Sequence, residues 1–133
     1  MLIRSRKANS EQIGQILVSQ LLPATTACVI AEDRGAMTFD LTKLAFALAA
    51  YRADRGAYPA KLADLTPKYV GEVPKDIFSD SELHYRPQGG GYLLYSVGPN
   101  GKDDGGKGTG DRQKGEDWDD IAVRMPAAAA PKH

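Results

Sequence analysis

The stretch of sequence that decides the fold is LTKLAFALAAYRADR, residues 41–55. Its large apolar side chains, together with Met37 just before it, recur at helical spacing and therefore share one stripe of a helix. The members of this stripe are Met37, Leu41, Leu44, Leu48 and Tyr51. The run is rich in alanine and almost free of β-branched residues, and Gly56 and Pro59 favour an end directly after it. We therefore expect a helix with one buried face that ends near Arg55.

Three short stretches further along have the apolar–polar alternation that is typical of strands, the second of them in a more buried form. They are Leu83–Arg86, Tyr92–Val97 and Ile121–Met125. The first two flank a glycine-rich turn and so predict a β-hairpin, and a turn of helix is expected earlier, at Ala60–Leu65. A helix stripe that covers one face of a small sheet gives a single core. The sequence thus predicts an α+β fold, with one long helix packed on a three-stranded antiparallel sheet.

The two ends of the chain carry weaker signals. Residues 1–36 contain a second helical pattern, which Pro23 is expected to interrupt, and we interpret them as a helical extension of unknown role. Residues 37–126 hold the main helix and the strands and form the predicted main domain. Residues 127–133 are expected to be disordered. The most apolar stretch, residues 13–30, falls short of about 20 apolar residues, so we expect no membrane insertion by this chain.

The composition limits the classes of function. The 133 residues include 17 basic and 17 acidic ones, so net charge gives no reason to expect a nucleic-acid partner. A single cysteine rules out an internal disulfide. His84 stands in a predicted strand, and the serines lack the sequence context of a catalytic nucleophile. We therefore predict a protein that is not an enzyme and that takes no small-molecule substrate.

A long loop between the second and third predicted strands requires an explanation. Residues 98–117 contain seven glycines and several acidic residues, and Asp119 and Asp120 follow directly. Ordering glycine costs more conformational entropy than ordering any other residue, so the loop is either disordered and solvated or held by something specific. Ca²⁺ takes about six to eight oxygen ligands from carboxylates and backbone carbonyls, and this loop is rich in both.

Two familiar ion-binding and phosphate-binding motifs are excluded in this loop. Residues 101–107 match the start of a P-loop, but Gly108 stands where a magnesium-binding Ser or Thr is required. An EF-hand that starts at Asn100 would place Lys102 at a ligand position. A calcium site in the loop would therefore be of another kind.

An ordered series of short segments resembles the major pseudopilin of type II secretion systems. The series spans about residues 40–125, nearly two thirds of the chain. It comprises YRADRGAYP at 51–59, LADL at 62–65, YVGEVPKD at 69–76, LHYR at 83–86, GYLLYSVG at 91–98, Asn100-Gly101, Gly105-Gly106 and Asp119-Asp120-Ile121.

The resemblance implies a pilin-like head that assembles with other pseudopilin-like subunits in the periplasm or cell envelope, with a structural calcium ion in its last loop. Carried over by position, the implied ligands are Asp119 and Asp120, then Asp103 and Asp104, with Ser96 supplementary. The family's apolar N-terminal helix has no counterpart in this sequence. An alternative therefore stays open: a soluble binding or sensing module of a larger envelope protein that reuses the head without pilus assembly.

Overall fold

The computed structural model describes the backbone of residues 2–126 and the side chains of Gln15, Ser19 and residues 21–126. The tail predicted to be disordered, residues 127–133, lies outside the described residues. The chain divides into two compact units, Met1–Asp33 and Arg34–His133. The domain boundary predicted at residue 36 stays a prediction.

One α-helix, α1, runs from Leu2 to Arg55. The break predicted at Pro23 is wrong, since α1 continues through this residue. A proline removes a single N–H donor, and the hydroxyls of Thr25 and Thr26 donate to carbonyls four residues earlier, at 2.8 and 3.0 Å. Within residues 2–126, no helix combines the length and apolarity that a membrane span requires.

The apolar stripe predicted for the second half of α1 forms one side of the core. Met37, Leu41, Leu44 and Leu48 are fully buried, and Tyr51 packs against them. The helix ends where the sequence predicts, because Gly56 adopts φ +82° and its N–H donates to the carbonyl of Arg52 at 2.7 Å.

Two antiparallel sheets follow the helix. Their strands are β1 (Lys75–Asp76), β2 (Ser81–Glu82), β3 (His84–Gln88), β4 (Gly91–Ser96) and β5 (Ile121–Met125). β1 pairs with β2, and the larger sheet has the order β3-β4-β5. The predicted α+β fold is confirmed, with the small β1–β2 sheet as an addition that the sequence did not predict. The helical turn expected at residues 60–65 is a 3₁₀ helix, Leu62–Leu65.

Strand β4 is buried on both faces. Tyr92 and Leu94 belong to the core with α1. Since side chains alternate along a strand, Leu93 and Tyr95 point to the other face, and there the glycine-rich loop covers them. A Cβ on Gly106 would lie 3.0 Å from Leu93 and 3.2 Å from Tyr95. The described part of the second unit, from Arg34, therefore has three layers: helix, sheet and loop.

Candidate metal centre

Three carboxylates meet where the loop returns to the sheet. Asp104, Asp119 and Asp120 each offer one oxygen, and the three oxygens lie within 4.8 Å of one another. Asp119 is only 7% exposed and Asp120 only 4%. Two oxygens that share a calcium ion at about 2.4 Å are at most about 4.8 Å apart, so the spacing is within the reach of a single cation.

Two buried oxygens in this cluster make no hydrogen bond within the described part of the chain. They are Oδ1 of Asp119 and Oδ1 of Asp120. The second oxygen of each carboxylate is held by backbone: Asp119 Oδ2 accepts from the N–H of Asn100 at 3.0 Å. Asp120 Oδ2 accepts from the N–H groups of Asp104 and Gly106, at 3.0 and 2.8 Å. A buried carboxylate oxygen that is left unpaired is costly, and a bound cation would remove that cost.

Glycine at position 98 allows the chain to approach the cluster closely. Gly98 follows β4 with φ +70°, a conformation that residues with a side chain rarely adopt. A Cβ there would lie 2.2 Å from the carbonyl oxygen of Asp119 and 2.8 Å from its Oδ1. The backbone of Gly98 therefore packs directly against that of Asp119. No side chain fits between them, which explains why position 98 requires glycine.

The electrostatics of the cluster disfavour a negative charge on Asp120. Burial is the main cause that raises the pKa of Asp120, and the neighbouring charges of Asp104 and Asp103 raise it further. The N–H bonds from Gly106 and Asp104 act in the opposite direction without cancelling the rise. A cation in the cluster would reverse this balance, because it attracts all three carboxylates.

Asp103, also predicted as a ligand, lies outside the three-carboxylate cluster. Its Oδ1 accepts from the hydroxyl of Tyr95 at 2.8 Å and from the N–H of Gly105 at 2.9 Å. These two bonds lower the pKa of Asp103. Its Oδ2 lies 3.9 Å from Nδ1 of His84, whose ring stacks on Tyr95 at 4.7 Å between centroids. Asp103 thus fastens the loop to the sheet, while its neighbour Asp104 faces the cluster.

Ser96, the remaining predicted ligand, belongs to a separate buried network. Its hydroxyl donates to Asp76 Oδ1 at 2.8 Å and accepts from the N–H of Gly98 at 3.2 Å. Of the five predicted ligands, the structure brings together Asp104, Asp119 and Asp120. Direct coordination by Ser96 or Asp103 stays a prediction.

Two residues that organise the site are not among the five predicted ligands. Asp76 is fully buried and accepts three hydrogen bonds. The side-chain amide of Asn100 donates to Asp104 Oδ2 at 3.3 Å and to the carbonyl of Asp117 at 3.1 Å. Asn-Gly after a strand does predict a turn, but that signal does not show which distant groups the amide will reach.

The donor chemistry of the cluster fits a hard cation. All three side chains offer carboxylate oxygen, which suits Ca²⁺, Mg²⁺ or Mn²⁺ better than softer ions. Backbone carbonyls of a glycine-rich loop are the additional ligands that Ca²⁺ commonly takes. The acidic cluster can therefore hold a metal ion.

The likeness to pseudopilins rests on sequence motifs and not on a detected relative. Comparison with protein-family models, curated proteins and solved structures finds no match for this chain. What stands independently of that likeness is the α+β unit and its buried three-carboxylate cluster, which can hold a metal ion.

Proposed function

We propose that the unit from Arg34 onward is a non-catalytic structural module of the pseudopilin kind, in which Ca²⁺ holds the glycine-rich loop against the sheet. The observation that carries the proposal is the pair of buried, unpaired oxygens on Asp119 and Asp120 beside a third carboxylate. Such atoms are rare in folded proteins unless a ligand satisfies them. The motif series in the sequence supports calcium as that ligand and an extracytoplasmic location.

The loop has a physical need for such a clamp. Fixing the backbone of one residue costs about 1–2 kcal/mol, and glycine costs the most. The side chains of residues 98–117 are mostly small or charged, so the loop gains little from apolar burial while it covers Leu93 and Tyr95. An ion that joins Asp104 to the acidic pair would tie the two ends of the loop together.

An exposed aromatic pair on α1 supports an assembly role. Phe39 and Phe46 are 65% and 74% exposed. They lie seven residues apart and so share a helix face. Leu41, Leu44 and Leu48 bury the other side of the same helical segment. Large exposed aromatic side chains on one helix face are suited to contact with another subunit, and we propose further copies of pseudopilin-like subunits as the partners.

Thermal unfolding in calcium and in a chelator tests the clamp. With free Ca²⁺ at about 100 times its Kd, the free energy of unfolding should rise by roughly 2.7 kcal/mol. The double variant Asp119→Asn/Asp120→Asn should show no rise. Its matched control is Glu116→Gln/Asp117→Asn, which removes two exposed charges from the same loop and should keep the full rise. Equal midpoints for the unmodified protein in calcium and in chelator would refute the calcium proposal.

Terbium luminescence gives a second readout of the same site. The chain has one tryptophan, Trp118, directly before Asp119. Tb³⁺ prefers the same oxygen donors as Ca²⁺, so excitation of the indole should sensitise its emission, and added Ca²⁺ should quench that emission by displacement. For the assembly role, sedimentation velocity should show oligomers that Phe46→Lys disperses. The control Ala63→Lys changes an exposed alanine in the 3₁₀ helix, outside this face of α1, and should leave the oligomers intact. A chain that stays monomeric at all concentrations would favour the binding-module alternative.

A further inference from the structure

A second buried carboxylate network lies behind the metal centre. Asp76, at the end of β1, is fully buried, and both oxygens of its carboxylate accept hydrogen bonds. Its Oδ1 accepts from the N–H of Phe78 at 3.0 Å and from the hydroxyl of Ser96 at 2.8 Å. Its Oδ2 accepts from the N–H of Val97 at 2.8 Å. The carboxylate thus joins the β1–β2 hairpin to the last residues of β4.

The network leads directly to the backbone that encloses Asp119. The Ser96 hydroxyl connects Asp76 to Gly98, because it donates to the carboxylate and accepts from the N–H of Gly98 at 3.2 Å. Gly98 packs against the carbonyl oxygen and the unpaired Oδ1 of Asp119. Two residues later, the N–H of Asn100 holds the other oxygen, Oδ2. Residues 96–100 therefore set both the position and the rotation of the Asp119 carboxylate.

We propose that Asp76 and Ser96 are positioning residues of the metal centre, which fix the 96–100 segment so that Asp119 presents Oδ1 to a divalent cation. This inference rests on the proposed function, because it assumes that the three-carboxylate cluster takes a cation. It assigns Ser96 an indirect role: its hydroxyl orients Gly98 through a hydrogen bond.

The hydrogen-bond inventory at Asp76 explains why a carboxylate is needed there. Each of its two oxygens accepts one backbone N–H, from Phe78 and from Val97. Asparagine has a single acceptor oxygen and an NH₂ group. In Asp76→Asn the NH₂ group must therefore face one of these two N–H groups, and that contact opens the junction between the hairpin and β4. The shape of the side chain is unchanged, so the variant tests the hydrogen bonds and not the packing volume.

The experiment compares calcium affinity with stability. Isothermal titration with CaCl₂ is run on the full chain and on Asp76→Asn, Ser96→Ala and Asp80→Asn, at a temperature where circular dichroism shows each protein folded. Asp80 is exposed, lies in the same hairpin and has φ +54°, which asparagine tolerates, so Asp80→Asn is the matched control. Unfolding midpoints in chelator are measured in parallel.

The expected result is a Kd for Ca²⁺ about tenfold higher in Asp76→Asn and about threefold higher in Ser96→Ala, with Asp80→Asn within about twofold of the unmodified protein. A purely structural role would lower the unfolding midpoint equally in calcium and in chelator and leave the Kd of the folded protein unchanged. If Asp76→Asn does not fold, Ser96→Ala decides the question. Calcium binding by the unmodified protein with an unchanged Kd in both variants overturns this inference alone. Absence of binding by the unmodified protein overturns the proposed function and this inference with it.

Discussion

Alanine at position 98 is the sharpest test of the way the loop returns to the sheet. Gly98 combines two features: φ is +70°, and the space where a Cβ would stand is filled by the backbone carbonyl of Asp119 at 2.2 Å. Gly101 shares the first feature but not the second, since φ is +68° and nothing lies within 4 Å of its Cβ position. The variants Gly98→Ala and Gly101→Ala therefore differ in the clash alone.

The magnitudes follow from these two features. A left-handed conformation costs a residue with a side chain about 1–2 kcal/mol, and both variants carry this cost. Forcing extra atoms into a packed site adds about 1–3 kcal/mol, and here the opposing atom is backbone and cannot rotate away. We expect Gly101→Ala to lose about 1–2 kcal/mol of unfolding free energy and Gly98→Ala about 2–5 kcal/mol. In a unit of this size each kcal/mol lowers Tm by about 4–8 °C.

Calcium separates the clash from general damage. Urea unfolding is followed by circular dichroism in chelator and at one Ca²⁺ concentration, about 100 times the Kd of the unmodified protein. Calcium should raise the unfolding free energy of Gly101→Ala by the same roughly 2.7 kcal/mol as that of the unmodified protein. Gly98→Ala should lose most of that increment, because the added methyl group displaces Asp119. Equal losses of stability and equal calcium increments in the two variants would refute the close approach of Gly98 to Asp119.

Two other measurements address the charges and the core. Asp120→Asn removes a buried charge that the protein disfavours, since burial raises the pKa of Asp120. Relative to the unmodified protein, Tm should therefore rise in chelator, and it should fall in calcium because a carboxylate of the cluster is lost. A lower Tm in both conditions would contradict the charge argument. Burial raises the pKa of Tyr85 to about 12 from 10.0, so the folded state keeps this proton longer than the unfolded state, and stability should decline as pH rises from about 10 to 12. In Tyr85→Phe that part of the decline should disappear. The variant also loses the hydrogen bond from the Tyr85 hydroxyl to the Pro59 carbonyl, 2.8 Å, which should lower the free energy of unfolding by about 1 kcal/mol at neutral pH. Urea midpoints at about pH 8 and pH 11 measure this, and parallel losses in both proteins would contradict it.

The elements with a repeating side-chain pattern could be predicted from sequence. The stripe from Met37 to Leu48 has a helical period that no other structure would bury, and it forms the core. β5 has the predicted bounds, Ile121–Met125, because its alternation ends at a proline. β1 and β2 were missed because strands of two residues have no period. They pair only with each other, and the bonds from Ser96 and Val97 to the Asp76 carboxylate connect this small sheet to the end of β4.

The site was predictable in composition and not in arrangement. A glycine-rich, acidic loop indicates oxygen ligands whichever aspartates face inward. Asp103 and Asp104 are indistinguishable by that argument, yet one bonds Tyr95 and the other joins the cluster. Which of the two aspartates joins the cluster depends on how the chain turns at Gly105, where φ is +69°. It also depends on which N–H groups donate to the Asp120 carboxylate. The second fact is not local in sequence, since residues 104 and 120 meet only after the loop has closed.

One signal in the sequence did indicate a covering layer. GYLLYS, residues 91–96, is apolar at consecutive positions and not only at alternate ones, which is typical of a strand buried on both faces. The helix stripe can cover one face, so a second element must cover Leu93 and Tyr95. In the structure that element is the glycine-rich loop, since Gly106 lies against both side chains. A loop without apolar side chains cannot be held on an apolar surface by burial alone. Polar contacts therefore hold it: Asp103 bonds Tyr95, and the cluster of Asp104, Asp119 and Asp120, which can hold a metal ion, lies where the loop returns to the sheet.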